Sequence, residues 1–430
     1  MSLTVKHLNA DTTFVLTLRP DNGDLICQDS KSSPSFTILI DPWLNGRTVI
    51  GHRWFASAEH SIPPCINHLS QLDEEPDLII ISQAKPDHCH EPTLRQLPGN
   101  SPKTTIVAEP KAAKAIRKFK HFDPAKIISA PEYNPRRPES VLRFRIEPLT
   151  ERGEAGEVTV ALLPARDIAG IHNAIGITYQ APSAGQCSGS RSTAHLPLVD
   201  HLQHEKFSPA AGLSEKPGEG DQHVTSASMP PLLISMPDPN ASPNFQSGII
   251  SKLAVPGRPQ THNSFSRAVP QNVITPKPGS LASAPSTASR ESRREAPISI
   301  LYSPHGVSAS SLLDRYALEH LHIHSSNPYP QALTLLIHSF DRVQSPWYLG
   351  GNIIAGANGG GVALAKKLRA KLWVGAHDEE KVNGGIIANF LKTEREMAAN
   401  ISKMLKEGGV ECDVRDLEVG EEVVLRGIEA

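Results

Sequence analysis

Apolar positions along the chain fall into short runs with two rhythms. Thr13–Leu18 and Phe36–Ile40 read as strands, the second ending at Asp41-Pro42-Trp43. Leu78-Ile79-Ile80-Ile81 is a continuous apolar run of strand length, which predicts a strand covered on both faces. Thr105-Ile106-Val107 predicts another strand, followed by a helix over Lys111–Lys120, and Leu142–Ile146 and Val158–Leu163 continue the series. The second half has a slower rhythm: helix at Ser310–Leu321, strand at Leu333–Ile337, helix at Val362–Ala370, strand at Leu372-Trp373-Val374. A long amphipathic helix is expected over Ile386–Glu407, closed by Gly408-Gly409. Strand series, each followed by helices, predict an α/β architecture of sheets with outer helices.

One stretch breaks both rhythms. Ala181–Ala296 spans 116 residues with 19 Ser and 15 Pro but only 20 of Leu, Ile, Val and Phe. That apolar share, about 17%, is too small to offset the backbone entropy of ordering, roughly 1–2 kcal/mol per residue, and predicts disorder. The runs on either side, Ala174–Tyr179 and Ile298–Tyr302, are both β-branched and strand-like, so the segment reads as an expanded hairpin tip. Loop closure costs only about 0.6 kcal/mol per doubling of length, which makes such an insertion tolerable. The expected organisation is a first half-domain at 1–180, a disordered Ser/Pro-rich insertion at 181–296, and a second half-domain at 297–430. The insertion is read first as an inert linker; its patches Pro231–Ile234 and Gly248–Ile250 are where a protein partner would dock.

Charge and cysteine content narrow the function classes. Lys and Arg total 43 against 45 for Asp and Glu, a formal charge of −2, which argues against a nucleic-acid coat. There is no run of 18 apolar residues and no apolar h-region at the N-terminus, so neither membrane insertion nor secretion is expected. Five scattered cysteines without a CxxC pair exclude a disulfide framework and fit a reducing, cytoplasmic setting.

The densest chemistry follows the buried strand: Ser82-Gln83-Ala84-Lys85-Pro86-Asp87-His88-Cys89-His90. Asp87 beside His88 offers a carboxylate and an imidazole, donors suited to zinc and similar ions, at the end of a rigid strand. By itself an Asp-His dipeptide is a weak signal.

Further residues in the same order along the chain carry a resemblance. The loop is similar to the His-x-His-x-Asp-His signature of the metallo-β-lactamase superfamily, with Gln83 and Lys85 at the first two His positions and Asp87 and His88 at the last two. Ile40–Leu44 resembles the family's early D-P-x-L turn, and Pro164–Gly170 resembles the P-A-R-H-x-x-G loop of its lactonase- and phosphodiesterase-like branch. Tyr302–Gly306 sits where that branch has G-D-T-G, and His377 sits at its last ligand. The resemblance implies a four-layer αββα sandwich and metal-dependent hydrolysis of an ester, lactone or phosphodiester.

The resemblance is imperfect where two ions would bind. The first ligand trio has become Gln83, Lys85 and Asp167, and the bridging Asp has become His305. An ammonium has no lone pair for a metal, so a two-metal centre is not expected. The leading expectation is a single zinc ion, with manganese or iron as alternatives, on Asp87, His88 and His377, completed by His305 or water. Asp87, Lys85 and Asp167 are then the catalytic candidates, with Lys85 standing in for the missing ion opposite Asp167, and Arg166 and His172 bind a small-molecule substrate. Two alternatives stay open: a metal-free pseudoenzyme acting as a binding or scaffold protein, or a ligand set rebuilt with His90, His172 or His305. His338 is a weaker candidate for pointing at the site, and Trp43 and Trp347 for walling it. Gly350–Gly361 reads as a turn beside the cavity, in reach of an anionic group.

Overall fold

The computed structural model describes residues 1–20, 35–164, 171–184, 297–321 and 332–426, all within one compact unit. Most of the expected insertion, 185–296, lies outside the described residues. The first stretch of chain forms β1 (Ser2–His7), β2 (Phe14–Arg19), β3 (Phe36–Ile40), β4 (Thr48–Ile50), β5 (Ala56–Glu59) and β6 (Leu78–Ile81). After helix α1 (Glu91–Leu94) come β7 (Thr105–Ala108), α2 (Pro110–Lys118), β8 (Ile127–Ser129), β9 (Val141–Ile146), β10 (Gly156–Pro164) and β11 (Asn173–Gln180). The second stretch adds β12 (Ile298–Ser303), α3 (Ser311–Glu319), β13 (Leu335–His338), β14 (Arg342–Gln344), β15 (Asn352–Ile354), α4 (Val362–Leu368) and β16 (Leu372–Val374). It ends with β17 (Val382–Gly384), β18 (Lys392–Glu394), α5 (Ala398–Glu407), β19 (Asp413–Arg415) and β20 (Glu422–Arg426).

Two seven-stranded sheets make the body, in the orders β20-β1-β2-β3-β6-β7-β8 and β19-β16-β13-β12-β11-β10-β9. In each sheet one half is antiparallel and the other parallel; the change falls at β3–β6 in the first and at β12–β13 in the second. The inner faces share one core, in which Leu16, Ile38, Ile80 and Val107 of the first sheet join Val160, Ile177, Ile300 and Ile337 of the second. The outer faces are covered by helices. Ile79, Ile81 and Ile106 pack with Ala112, Ala113 and Ile116 of α2, while Leu301, Leu336 and Trp373 pack with residues of α3, α4 and α5. This is an αββα sandwich, and it explains why the run Leu78–Ile81 is apolar at every position: alternate side chains enter different cores.

Local signals set the helix ends. Glu109 caps α2 through Lys111 N and Ala112 N, ahead of Pro110 at the first helical position. Ser310 caps α3 by accepting from Leu313 N. α3 lies close on its sheet because Gly176 of β11 has no side chain; a Cβ there would sit 2.3 Å from Tyr316.

The expected pairing across the long excursion is present, since β11 and β12 are antiparallel neighbours with Ile177 opposite Ile300. The expected helix over Ile386–Glu407 is not. Its first residues make a 3-10 turn (Ile386–Phe390) anchored by Ile386 N to Trp54 O and Ile387 N to Phe55 O. Lys392–Glu394 then pairs with β14, and the helix begins only at Ala398. Hydrogen bonds to remote strands outcompeted a local helical period. The segment's Lys392–Glu394 thereby completes a small three-stranded sheet, β15-β14-β18, and just before it Val382–Gly384 joins another, β17-β5-β4. Among the described residues no helix is long and apolar enough to cross a membrane.

Two histidines tie the fold to pH. Burial pushes His338 down to about 4, the Ser339 carbonyl opposing and His172 adding to the effect. Burial also lowers His90 to about 4, with His60 contributing. Both folded values lie below the roughly 6.5 of an unfolded histidine, so the unfolded chain binds more protons between those limits. Stability is therefore full above about pH 6.5 and falls as pH drops towards 4. The urea midpoint should decrease between about pH 7 and about pH 4.5, and His338→Asn should narrow that decrease.

Candidate active site

Four loops separated by hundreds of residues meet at the strand ends. Asn9 builds the first: its Oδ1 accepts from Asp11 N and Thr13 N, each at 3.0 Å, and its Nδ2 donates to Trp43 O at 2.7 Å. That turn presents Asp11, whose carbonyl accepts from His377 N at 2.9 Å. The second is the Ser82–His90 loop after β6, tied to the first by Thr12 Oγ1 donating to Asp87 O. His305 follows β12, and His377–Lys381 follows β16.

Asp41, directly after β3, is the anchor. It is fully buried, and its backbone takes the left-handed φ of 40° uncommon for a non-glycine residue. Its carboxylate accepts from Ser82 N at 2.7 Å, from Ser82 Oγ, from His88 Nδ1 at 2.8 Å and from Tyr302 Oη at 2.6 Å. The loops after β3 and β6 and strand β12, and with them both sheets, are pinned by one side chain.

His88, His305 and His377 form a buried group, with one ring nitrogen of each within 4.8 Å of the others. Each ring has a partner at Nδ1. His88 meets Asp41, His377 Nδ1 lies 2.7 Å from Asp11 Oδ1, and His305 Nδ1 lies 2.9 Å from Ile353 O. Carboxylates and carbonyls only accept, so each Nδ1 carries the hydrogen and each neutral ring keeps a lone pair at Nε2. His88 Nε2 and His305 Nε2 face each other at 3.1 Å. Two lone pairs repel at that separation unless a proton or a cation lies between them. Asp87 Oδ2 is 3.9 Å from His88 Nε2 and 3.8 Å from His377 Nε2, while Asp87 Oδ1 is buried without a partner among the described residues. The donors at a tetrahedral zinc lie about 3.3 Å apart for bonds of roughly 2.0–2.1 Å, so this set could close on one ion with small adjustments.

The electrostatics agree. Burial raises the Asp11 carboxyl, but His377 and Lys381 outweigh it and hold the group well below the usual carboxylate range. Asp87 is likewise lowered, burial being overcome by His88, Lys381 and His377. Burial would lower His88, yet Asp87 and Asp41 raise it. His305 goes the other way, well below 6.5, from burial and the neighbouring His377 and His88 rings. In the metal-free protein the bridging proton therefore belongs on His88.

Sequence reasoning brought Asp87, His88, His305 and His377 together, and the structure places them in one cluster. Lys85 is half-buried; its carbonyl accepts from His88 N at 3.0 Å, and among the described residues its side chain shows no bond or ion pair to that cluster. Arg166 and Asp167 lie outside the described residues. His172 sits beside the group, its ring 6.5 Å from His305 and its Nε2 3.4 Å from Asn352 Nδ2. Gln83 is buried with both amide atoms unpartnered. His90 bonds Thr93 Oγ1 at the start of α1, and His338 Nδ1 bonds Ser339 O, so neither ring joins the group. Trp43 is fully buried under His60 and Lys381, whereas Trp347 is 86% exposed and walls nothing. The glycine run ends in a turn where Gly361 allows Trp373 and His338 within about 3 Å of a would-be Cβ; it serves packing.

Two participants were missed. Asp11 lies in a polar turn with no spacing to link it to His377, 366 residues away. Lys381, only 11% exposed, reaches Asp11 Oδ2 at 2.9 Å and lies 3.9 Å from Asp87 Oδ2. Lys381 thus puts an ammonium next to the cluster; the ammonium expected there from Lys85 was to face Asp167, which lies outside the described residues.

Residues 31–150, 120 of the 430, match the model of the family described as a beta-lactamase superfamily domain. The metallo-β-lactamase resemblance is thus shown over that span, and the αββα layering is the matching architecture. The crystal structure of isothiocyanate hydrolase from Delia radicum gut bacteria is similar at 11% identity, covering 98% of each chain with a TM-score of 0.42. A likeness of that size says nothing about chemistry. No curated protein matches the chain.

Asp41→Ala leaves several buried donors without an acceptor and should cost about 3–5 kcal/mol in urea unfolding. Tyr302→Phe removes one donor and leaves the carboxylate paired; about 1 kcal/mol is expected from the same measurement.

Proposed function

We propose that the protein is a metal-dependent hydrolase built around one divalent ion, held by His88, His305 and His377 with Asp87 as the fourth donor. The observation that carries this reading is the arrangement of the three imidazoles. Every Nδ1 is tied down by an acceptor, and the free Nε2 atoms converge, two of them in contact that neutral rings alone would not tolerate. Metal-ligating histidines are oriented in this way by carboxylate and carbonyl partners. Imidazole and carboxylate suit zinc best, with manganese and iron as the alternatives.

Bound there, the ion supplies a Lewis acid and lowers the pKa of a water it holds. The chain's own groups do the rest. Asp41 and Asp11 hold His88 and His377 in the tautomer with Nε2 free. Asp87 presents a second carboxylate oxygen, Oδ1, which has no partner among the described residues and is placed to accept a proton. Lys85 and Asp167 remain the further proton-transfer candidates from the sequence, and Arg166 and His172 the substrate-binding ones. The substrate class is an ester, lactone or phosphodiester, small enough to enter a site whose ligands are buried. A protein partner docking on the 181–296 segment belongs to the same proposal, as does a cytoplasmic location.

Elemental analysis of protein purified without chelator should find about one equivalent of divalent metal, and His377→Ala should lose it; well under one equivalent in the wild type defeats the reading. Turnover of generic ester, lactone and phosphodiester substrates with added Zn²⁺ or Mn²⁺ should disappear in Asp87→Ala. Because the raised His88 holds a proton where the ion would sit, binding should release that proton. Affinity should then weaken as pH falls, beginning above the roughly 6.5 of an ordinary histidine because His88 is raised, which calorimetry in buffers of differing ionisation enthalpy can read.

A further inference from the structure

Lys381 belongs to no part of the chemistry described so far, yet its ammonium lies against the metal-ligand set. Nζ is 2.9 Å from Asp11 Oδ2, 3.0 Å from His377 Nδ1 and 3.9 Å from Asp87 Oδ2, and it lies 5.5 Å over the Trp43 ring. The loop that carries it is fixed independently. His377 N bonds Asp11 O, and Glu379 Oε1 accepts from Ser61 N and Ile62 N while its Oε2 takes His60. His377 itself adopts φ 67°, so the backbone is held in an uncommon conformation that delivers both ring and ammonium.

The contact with His377 is not an ordinary hydrogen bond. His377 Nδ1 already donates to Asp11 Oδ1, and an ammonium has only hydrogens to offer. Two donors at 3.0 Å are tolerated because the Asp11 carboxylate faces both, accepting from His377 at Oδ1 and pairing by charge with Lys381 at Oδ2. Lys381 therefore acts on the ring by charge. It drains the electron density that Asp11 would otherwise lend through Nδ1–H, and so makes His377 a weaker ligand.

Charge bookkeeping leads to the same residue. Among the described residues, the carboxylates bonded to or facing the three imidazoles are Asp11, Asp41 and Asp87, and Lys381 is the one ammonium among them. Asp378, next to His377, is not among them: its carboxylate accepts from Phe340 N and Asp341 N. Glu379 is not among them either: its carboxylate is occupied by His60 and by the Ser61 and Ile62 amides. Three negative groups against one positive leave two charges, which one divalent ion neutralises. A second ion would meet no compensating charge.

We propose that Lys381 is the positioning residue that sets this site for a single, moderately held divalent ion: its fixed ammonium takes the place of a second cation and weakens the hold of Asp11 and His377 on the first. The inference rests on the metal reading above. It predicts the reverse of what a merely structural lysine would do. Removing the charge leaves Asp11 still bonded to His377 and adds one uncompensated negative charge, so metal binding should tighten.

The test is a competition titration of wild type, Lys381→Met, Lys381→Gln and Lys381→Arg against a chromophoric chelator, using Zn²⁺ and Co²⁺ separately, with circular dichroism as the folding check. The wild type should bind one equivalent, and Lys381→Met and Lys381→Gln should bind it at least about tenfold more tightly, a typical size for changes in the outer shell of a metal site. Lys381→Arg, which keeps the charge, should stay within about threefold of wild type, in contrast to that outer-shell effect. Equal or weaker binding in whichever of the two neutral variants folds overturns the proposal while leaving the metal reading standing. Absence of binding in wild type and in the neutral variants alike sinks the metal reading and this inference with it. Binding in a neutral variant alone supports the inference.

Discussion

A buried carboxylate surrounded by donors is costly to assemble and hard to rearrange once assembled, and Asp41 is such a group. It accepts from the backbone and side chain of Ser82, from His88 and from Tyr302. Ser82 continues β6 of the first sheet and Tyr302 lies in β12 of the second, so the same oxygens that orient a candidate ligand also fasten the sheets at the site end. Without that anion, His88 would have no reason to present Nε2 inward, and the loop after β6 would lose its reference point. The left-handed backbone at Asp41 is the strain that this concentration of hydrogen bonds over-determines.

Around that anchor the sandwich solves a placement problem. His88, His305 and His377 emerge from strands β6, β12 and β16, which lie in different sheets or at different places in one sheet. Rigid strand ends bring their side chains to within a few ångström, whereas no local loop joins them. The second shell is equally dispersed: Asp11 from the turn after β1, Ile353 from β15, Lys381 from the strap before β17. The charges balance only when all these loops are present together, which makes the electrostatics of the site a property of the whole fold.

Particular residues show how far sequence reading reached. The run Leu78–Ile81 carried its own proof of double burial, and its polar sequel carried Asp87 and His88. Ala174–Tyr179 and Ile298–Tyr302 were recognisable as neighbours across more than a hundred intervening residues, because both had strand character and the stretch between them lacked apolar content. Lys381 and Asp11 were not recognisable. A lone lysine and a lone aspartate in polar turns look like solvated surface until the turns are folded against each other. The helix expected over Ile386–Glu407 failed for a related reason: Trp54, Phe55 and β14 supplied hydrogen-bond partners that a local period cannot register.

By itself the sequence determined the alternation of strand and helix and the position of the long polar excursion, because periodicity and local composition are short-range quantities written in adjacent residues; the layering and the four candidate ligands were legible only through the resemblance to a known family. Only the tertiary structure decided which nitrogen of each histidine is free, which carboxylate orients it, and that the Lys381 ammonium lies beside the site. Those outcomes depend on distances between segments hundreds of residues apart. They are fixed by the packing of two sheets and by the rule that a buried donor must find an acceptor.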